Sequence, residues 1–136
     1  MEVDVTRLIN EVDPSEISGS IAERGNNAGP ETWANALEAT ADEPLLTTED
    51  ERDNARDFFK GFGAWSKEEI AAWSDNDIDA LILQYAAGDL RELQSCAPGD
   101  GLGDIDWDKA EHLQSEGTCG GSLYVSGDKL YIYIGD

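Results

Sequence analysis

The stretch Ser74–Gly88, SDNDIDALILQYAAG, decides the fold of this chain. Its apolar residues recur at helical spacing, and between Ala80 and Ala87 the only strongly polar side chain is Gln84. A helix that is apolar around its whole circumference is normally buried in a protein core. The stretch is shorter than the about 20 apolar residues needed to cross a bilayer. We therefore predict a central core helix that Ser74 caps and Gly88 ends.

The charge of the chain limits the partners it can have. Its 136 residues include 30 acidic and 9 basic side chains, for a formal net charge of −21. This balance excludes ordinary nucleic-acid binding, because phosphates are neutralised by lysine and arginine, and it disfavours anionic membranes. Self-repulsion at this charge destabilises the compact state, so some compensation is expected. The acid can imitate nucleic acid toward a basic partner, suit the protein to high salt, or serve solubility alone.

The first residues and the cysteines bear on the compartment. The sequence begins MEVD, which has neither a basic start nor an apolar run, so we expect no signal peptide and a cytoplasmic protein. Cys96 and Cys119 are the only cysteines. In the cytoplasm we expect two free thiols, with one disulfide as the alternative, and their spacing matches no zinc pattern.

Helix-capping residues followed by apolar residues at helical spacing divide most of the chain into short helices. Thr48 and Ser66 begin capping boxes, and Asp106 is a candidate N-cap. Leu90 and Leu93 indicate one more helical turn after Gly88. In all we predict six to eight short helices, over residues 2–12, 13–25, 30–41, 48–61, 66–73, 74–88, the turn that follows, and 106–117.

The C-terminal residues alternate with a period of 2, which is typical of strands. Gly127-Asp128 interrupts the alternation as a two-residue hairpin turn. One face of this hairpin is aliphatic, and the other carries Tyr124, Tyr131 and Tyr133. Pairing across the turn sets residues opposite one another as Val125 with Leu130, Leu123 with Ile132, and Tyr124 with Tyr131.

An isolated hairpin is only marginally stable, so the aliphatic face is expected to lie on the helices. The tyrosine face is either covered by the domain or left for a partner. The predicted fold is therefore α+β. We expect a single domain over 1–136, with a helical body over 1–117 and a β-hairpin over 121–135.

Acidic residues form three groups along the chain, and only two of them lack compensating bases. Over 49–60, Glu49 with Arg52 and Asp53 with Arg56 are spaced as ion pairs on a solvated helix face. The first acidic cluster contains Glu68, Glu69, Asp75, Asp77 and Asp79 and no base. The second acidic cluster contains one base, Lys109, among Asp100, Asp104, Asp106, Asp108, Glu111 and Glu116.

These two clusters have a structural and a functional interpretation. Helix starts favour acidic side chains, which accounts for Asp75, Asp77 and Asp106. The remaining acids are interpreted as a negative surface for a basic groove. Side chains one helical turn apart lie about 5–6 Å from each other, and phosphates along one strand rise about 3.4 Å per step. Carboxylates on neighbouring helices can therefore approximate a row of phosphates.

No catalytic or metal-binding pattern stands out. His112 is the only histidine, and Asp108 one turn before it is expected to pair with it at the surface. No serine or cysteine nucleophile is tied to His112 by a local motif. The sequence after Asp104 resembles the first half of a calcium loop, but Lys109 and Ser115 replace the required glycine and glutamate. We therefore predict no catalytic residues, no bound metal and no cofactor.

The segment Trp73–Glu92, together with the hairpin from Gly120 to Asp136, resembles small acidic proteins carried by phages, prophages and plasmids. Those proteins combine a short acidic helical body with a C-terminal Gly-Asp hairpin, and anti-CRISPR and antirestriction inhibitors are among them. Many such inhibitors occupy the nucleic-acid groove of a host defence complex. The resemblance implies a cytoplasmic protein of a bacterial host, and it transfers no site residues.

The favoured hypothesis is a non-enzymatic inhibitor that binds a basic, nucleic-acid-handling protein through the two acidic clusters. Tyr124, Tyr131 and Tyr133 would add contact area, since tyrosine is enriched at interfaces. This hypothesis includes no direct contact with nucleic acid or membrane. The alternative is an acidic, halophilic-type globular protein whose charge serves solvation. A small enzyme is the third hypothesis, for which the sequence offers no constellation.

Overall fold

A computed structural model describes residues 1–7, 30–63, 65–100, 104–118 and 123–134. These residues contain five α-helices and one three-stranded antiparallel sheet, so the predicted α+β class is confirmed. The helix count differs from the predicted six to eight. Residues 89–96 continue the central helix instead of forming their own turn. The helix predicted over 13–25, and the part of the helix predicted over 2–12 that follows Arg7, lie outside the described residues.

The described elements follow one another as a short strand, five helices and two strands. In chain order they are β1 (Glu2–Asp4), α1 (Pro30–Ala41), α2 (Glu49–Lys60), α3 (Lys67–Ala72), α4 (Asp75–Cys96), α5 (Trp107–Ser115), β2 (Leu123–Ser126) and β3 (Lys129–Tyr133).

Three helices begin with a complete capping box, in which the N-cap hydroxyl and an acid three residues later satisfy each other's backbone amides. Free amides at a helix start would otherwise remain without partners. The boxes predicted for α2 and α3 are confirmed, and α4 has a third. The pairs are Thr48 with Glu51, Ser66 with Glu69, and Ser74 with Asp77.

The central helix α4 is longer than the sequence predicted. Gly88 does not end it, and the helix continues to Cys96. Leu90 and Leu93 beyond the glycine are completely buried, which stabilises the helix by about 1.5–3 kcal/mol for each side chain. A mid-helix glycine costs only about 0.5–1 kcal/mol, so the burial prevails. The helix ends before Pro98, because the ring of a proline disfavours helical geometry for the residue before it, here Ala97.

Gly88→Ala should stabilise the protein by about 0.5–1 kcal/mol, because alanine loses less conformational freedom in a helix. Gly88 is exposed, and a Cβ built there meets no atom within 4 Å. Urea denaturation measures the change. Gly63→Ala is the matched control: Gly63 has a φ of +69°, where alanine is strained, so that variant should lose about 1 kcal/mol or more. Equal shifts in both variants would contradict this account.

The core surrounds α4 on all sides. Ile78, Leu81, Ile82 and Leu83 are at most 1 % exposed, although they point in different directions around the helix. Helix α1 packs along α4, and α2, α5 and the sheet cover other parts of it. The start of α4 is also fastened to α1 by polar contacts, since the Thr40 hydroxyl lies 2.8 Å from Oδ1 of Asn76. The prediction of a core helix is confirmed.

An aromatic cluster fills the space between α2, α3 and α4. Phe59 is completely buried at its centre. Its ring lies 5.3–6.4 Å from the rings of its five neighbours, mostly edge to face, which is the favoured arrangement of aromatic pairs. The five neighbours are Phe58, Phe62, Trp65, Trp73 and Tyr85.

The sheet has the strand order β1-β3-β2, so the first and last parts of the chain meet in it. The predicted pairing of the hairpin is confirmed: Tyr124 lies opposite Tyr131, and the aliphatic pairs are in the expected register. Gly127 in the turn has a φ of +63°, which glycine adopts without strain. The inner face of the sheet is buried against the helices through Val3, Leu123, Val125, Leu130 and Ile132.

The strand β1 is a correction to the sequence prediction, which placed residues 2–12 in a helix. Glu2–Asp4 instead pairs with β3, with Val3 opposite Ile132. Backbone hydrogen bonds from Val5 to Leu130 and from Ile134 to Met1 extend the pairing at both ends. The hairpin is therefore not a separate C-terminal unit. A third strand joins it from the segment that the sequence prediction assigned to the helical body. This pairing is possible because β3, in the centre of the sheet, can form hydrogen bonds on both sides.

Candidate interaction surface

Most of the first acidic cluster has a structural role. Glu69 and Asp77 accept hydrogen bonds from the backbone amides of Ser66 and Ser74, at 3.2 and 3.0 Å, and so complete the capping boxes of α3 and α4. The sequence also assigned Glu69 and Asp77 to a surface that binds a partner. A partner would have to share these carboxylates with the backbone amides that they cap. Glu68 is exposed and has no hydrogen bond or ion pair to any described residue.

The sequence predicted that Asp75 has no compensating base, and the structure corrects this prediction. Its Oδ1 lies 3.3 Å from Nε of Arg52, whose side chain is only 17 % exposed. Arg52 also pairs with Glu49, and Arg56 pairs with Asp53, as the sequence predicted for α2. The bases of α2 therefore compensate acids of α4 as well as their own helix, a contact between helices that spacing along the chain does not reveal.

Asp79 is a second correction, because its side chain is buried rather than presented to a partner. It is 3 % exposed. Its Oδ2 accepts a hydrogen bond of 3.1 Å from the Leu45 amide, while Oδ1 is buried without a partner. Burial raises the pKa of Asp79 to about 6, against the lowering effect of the Leu45 and Leu46 amides and of Arg52. Asp79 anchors the segment between α1 and α2 onto the central helix.

The raised pKa of Asp79 predicts a loss of stability between about pH 4 and pH 6. In this range the folded protein keeps a proton that the unfolded chain releases, so the free energy of unfolding falls as the pH rises. Asp79→Asn should remove this component, which is on the order of 3 kcal/mol. Urea denaturation of wild type and variant at pH 4, 5, 6 and 7 measures the difference between them.

Asp42→Asn is the matched control for Asp79→Asn, because Asp42 is exposed and its loss changes the net charge equally. That variant should retain the wild-type dependence on pH in this range. If Asp79→Asn and Asp42→Asn alter the pH profile alike, the effect belongs to net charge and the account of Asp79 is wrong.

Part of the second acidic cluster also has a structural role. Asp106 caps α5 by accepting a hydrogen bond of 3.1 Å from the Lys109 amide, as predicted. Oε2 of Glu111 accepts a hydrogen bond of 3.1 Å from the Gly127 amide in the hairpin turn. Oε1 of Glu116 lies 3.4 Å from Nε2 of His112. These three acids organise α5 and its contact with the hairpin.

Helix α5 lies along the open edge of β2. The side-chain amide of Gln114 donates to the carbonyl of Leu123, and its Oε1 accepts a hydrogen bond of 2.6 Å from the Val125 amide. Gln114 thus bonds to β2 as a neighbouring strand would, and it protects an edge that otherwise attracts other chains. Tyr124, between the two bonded residues, points to the outer face of the sheet.

Two of the three remaining acids of the second cluster line an open groove before α5, and the third, Asp108, lies in the first turn of α5. Asp100 and Asp104 flank the groove, which has a volume of about 470 Å³ and is also lined by Pro98 and Trp107. Its two walls are held together by hydrogen bonds from the Gly99 amide to the Asp104 carbonyl and from the Asp106 amide to the Ala97 carbonyl. Asp100, Asp104 and Asp108 are exposed and have no ion pair to any described residue.

His112 is exposed at the surface, as predicted, but its partner is Glu116 rather than Asp108. Asp108, Glu111 and Ser115 line a shallow groove beside it. The Ser115 hydroxyl donates to the carbonyl of His112, at 2.7 Å, and not to the imidazole.

Among the described residues, no group of three or more potential ligands is arranged to hold a metal ion. Cys96 is a free, half-buried thiol, and Cys119 lies outside the described residues.

The outer face of the sheet carries the three tyrosines, and we call it the tyrosine face. Tyr124 and Tyr133 are 51 % and 55 % exposed, while Tyr131 between them is half-buried. The rings of Tyr124 and Tyr131 have centroids 6.5 Å apart. Of the two alternatives that the sequence left open, coverage by the rest of the domain is therefore wrong for Tyr124 and Tyr133.

Two acids that the sequence did not assign to a surface also lie on the tyrosine face. Asp4 is paired with Tyr131 and Glu2 with Tyr133 across β1 and β3. Both acids are exposed. The alternation of Glu2 and Asp4 with buried Val3 was a period-2 signal, but three residues are too few to distinguish a strand from a helix start.

A comparison of the chain with protein-family models, curated proteins and solved structures finds no match. The resemblance to small acidic inhibitors therefore stays a prediction. Within the described residues, none of the helices combines the length and the apolar character needed to cross a membrane.

Proposed function

We propose that this chain is a non-enzymatic inhibitor that binds a basic, nucleic-acid-handling protein of a bacterial host, such as a CRISPR or restriction complex. The observation that carries the proposal is the set of carboxylates left over when structural roles are assigned. Asp100, Asp104 and Asp108 lie close together in the sequence, each of the three is exposed, and none pairs with a described residue. Ordering them there costs stability through mutual repulsion, which binding to a basic surface would reverse.

The geometry of this stretch supports imitation of nucleic acid. Asp104 and Asp108 bracket the start of α5, and Asp100 faces the same groove from the other wall. Side chains one helical turn apart lie about 5–6 Å from each other, so carboxylates at and before the start of α5 can approximate a row of phosphates. A groove that binds phosphates by lysine and arginine accepts such a row, and the charge of −21 speeds the encounter.

The triple variant Asp100→Asn, Asp104→Asn and Asp108→Asn tests the proposal in titrations of candidate complexes. Losing three contacts of about 0.5 kcal/mol each should weaken binding about 10-fold. Wild-type affinity should fall steeply with salt, and the nucleic acid that the complex normally binds should displace the protein. Isothermal calorimetry at several salt concentrations measures these effects.

The matched control is the triple variant Glu38→Gln, Asp42→Asn and Asp50→Asn. It removes the same charge from exposed positions on or near α1 and α2, and Asp50, like Asp108, lies in the first turn of a helix. This control should change the affinity much less. Binding that is insensitive to salt, or that nucleic acid fails to displace, would contradict the proposed mimicry.

A second candidate function is solvation, with the acid suiting the protein to high salt. It is favoured by the distribution of charge, because each of the five described helices presents at least one exposed carboxylate: Glu38, Asp53, Glu68, Asp75 and Asp108, for α1 to α5 in order. A surface specialised for one partner does not require acid on every helix.

The solvation hypothesis predicts that the melting temperature rises steeply between low and molar salt, as self-repulsion is screened. Thermal melts of wild type and of the two triple variants measure this rise. Both variants carry the same reduced charge, so both should depend less on salt, and to the same degree. A wild-type melting temperature that does not change with salt would rule the hypothesis out.

A further inference from the structure

We propose that the tyrosine face binds arginine side chains of an extended basic segment of the partner. This inference rests on the proposed function and specifies a contact within it. It assigns the outer face of the sheet a ligand chemistry, the guanidinium group, and it identifies two acids on β1 as part of the binding surface.

The strand pairings place aromatic rings and carboxylates side by side. One row across the sheet is Asp4, Tyr131 and Tyr124, and the next row is Glu2 and Tyr133. Directly paired residues have Cβ atoms about 4.5–5.5 Å apart. Each row thus offers the face of a phenol ring next to a carboxylate, on a rigid strand rather than on a loop.

This combination suits arginine better than other side chains. A guanidinium group stacks on an aromatic ring within about 6 Å and, in the same plane, donates two hydrogen bonds to a carboxylate. Lysine has a compact, strongly hydrated charge and cannot make both contacts with one planar group. An uncharged apolar segment would give the carboxylates of Glu2 and Asp4 no cation to bind.

The charges on this face are favourable to a cation although one base is present. Asp4 stays ionised: partial burial raises its pKa, but hydrogen bonds from Thr6 and the charge of Lys129 together lower it below its usual value. Of the two carboxylate oxygens of Asp4, only Oδ1 accepts hydrogen bonds from Thr6. Glu2 has no ion pair to any described residue. The face therefore keeps acceptors for an incoming guanidinium group.

The spacing of the rows indicates an extended ligand. Tyr131 and Tyr133 are two residues apart on one strand, which is about 6.6–6.8 Å. Alternate side chains of an extended peptide repeat at the same distance. A segment with arginine at every second position can therefore place one guanidinium group on each row.

The test compares two peptides of equal length and charge, one alternating arginine with glycine and the other lysine with glycine. Each is titrated into the full chain by fluorescence anisotropy at moderate salt. Wild type should bind the arginine peptide about 3–10-fold more tightly. Amide chemical shifts in a ¹⁵N-labelled sample should move on β1 and β3 in the arginine titration.

Matched substitutions separate the aromatic contact from mere contact area. The triple variant Tyr124→Leu, Tyr131→Leu and Tyr133→Leu keeps apolar area but removes all three ring faces, so the preference for arginine should disappear. The triple variant Tyr124→Phe, Tyr131→Phe and Tyr133→Phe keeps the rings and should retain the preference. Glu2→Gln should weaken arginine binding more than Glu38→Gln, an equal change of charge away from the sheet. Melting curves establish that each variant is folded.

The outcomes separate this inference from the proposed function. An arginine preference that survives in the leucine variant, equal binding of both peptides, or binding of neither overturns the inference. Self-association that the leucine variant abolishes would assign the face to a second copy and also overturn it. The proposed function is decided separately, by the salt and competition titrations with the nucleic-acid-handling complex.

Discussion

The structure depends on covering a helix that is apolar on every side. Because Ile78–Ala87 of α4 carries apolar side chains in every direction, with only Asp79 and Gln84 polar among them, the other elements surround it, and they come from both the first and the last part of the chain. Helix α1, the aromatic cluster and the sheet each bury a different part of it. The same burial explains why the helix passes through Gly88: covering Leu90 and Leu93 stabilises it more than the glycine costs.

Charge has two separate uses in this protein. Carboxylates at helix starts satisfy backbone amides, as Glu51, Glu69 and Asp77 do, and there the acid stabilises the fold. Carboxylates such as Asp100 and Asp108 have no such role, and their repulsion opposes folding. Sorting the acids by backbone and ion-pair contacts reduces two long clusters to a few positions. The proposed binding surface is consequently smaller than the number of acidic residues in the two clusters indicated, and it is centred on the start of α5.

The sheet connects this acidic stretch to the tyrosine face. Gln114 of α5 bonds to the edge of β2, and Glu111 bonds to the turn, so the helix that carries Asp108 is fixed to the strand that carries Tyr124. Asp108 and Tyr124 both belong to packed elements, a helix and a strand, whereas Asp100 and Asp104 lie between α4 and α5. This arrangement is suited to binding a partner without large rearrangement, since side chains on a packed helix and strand lose little further freedom on binding.

The sequence by itself determined the class of fold, the capping boxes of α2 and α3, and the register of the hairpin. These features follow from local signals: hydroxyl and acid three residues apart, and alternation around Gly127-Asp128. Only the tertiary structure decided the burial of Asp79, the ion pair between Arg52 and Asp75, and the pairing of Glu2–Asp4 with β3. Each of these features depends on a contact between residues that are distant in the sequence. Packing and desolvation determine such contacts, and they leave no periodic pattern in the sequence of either partner.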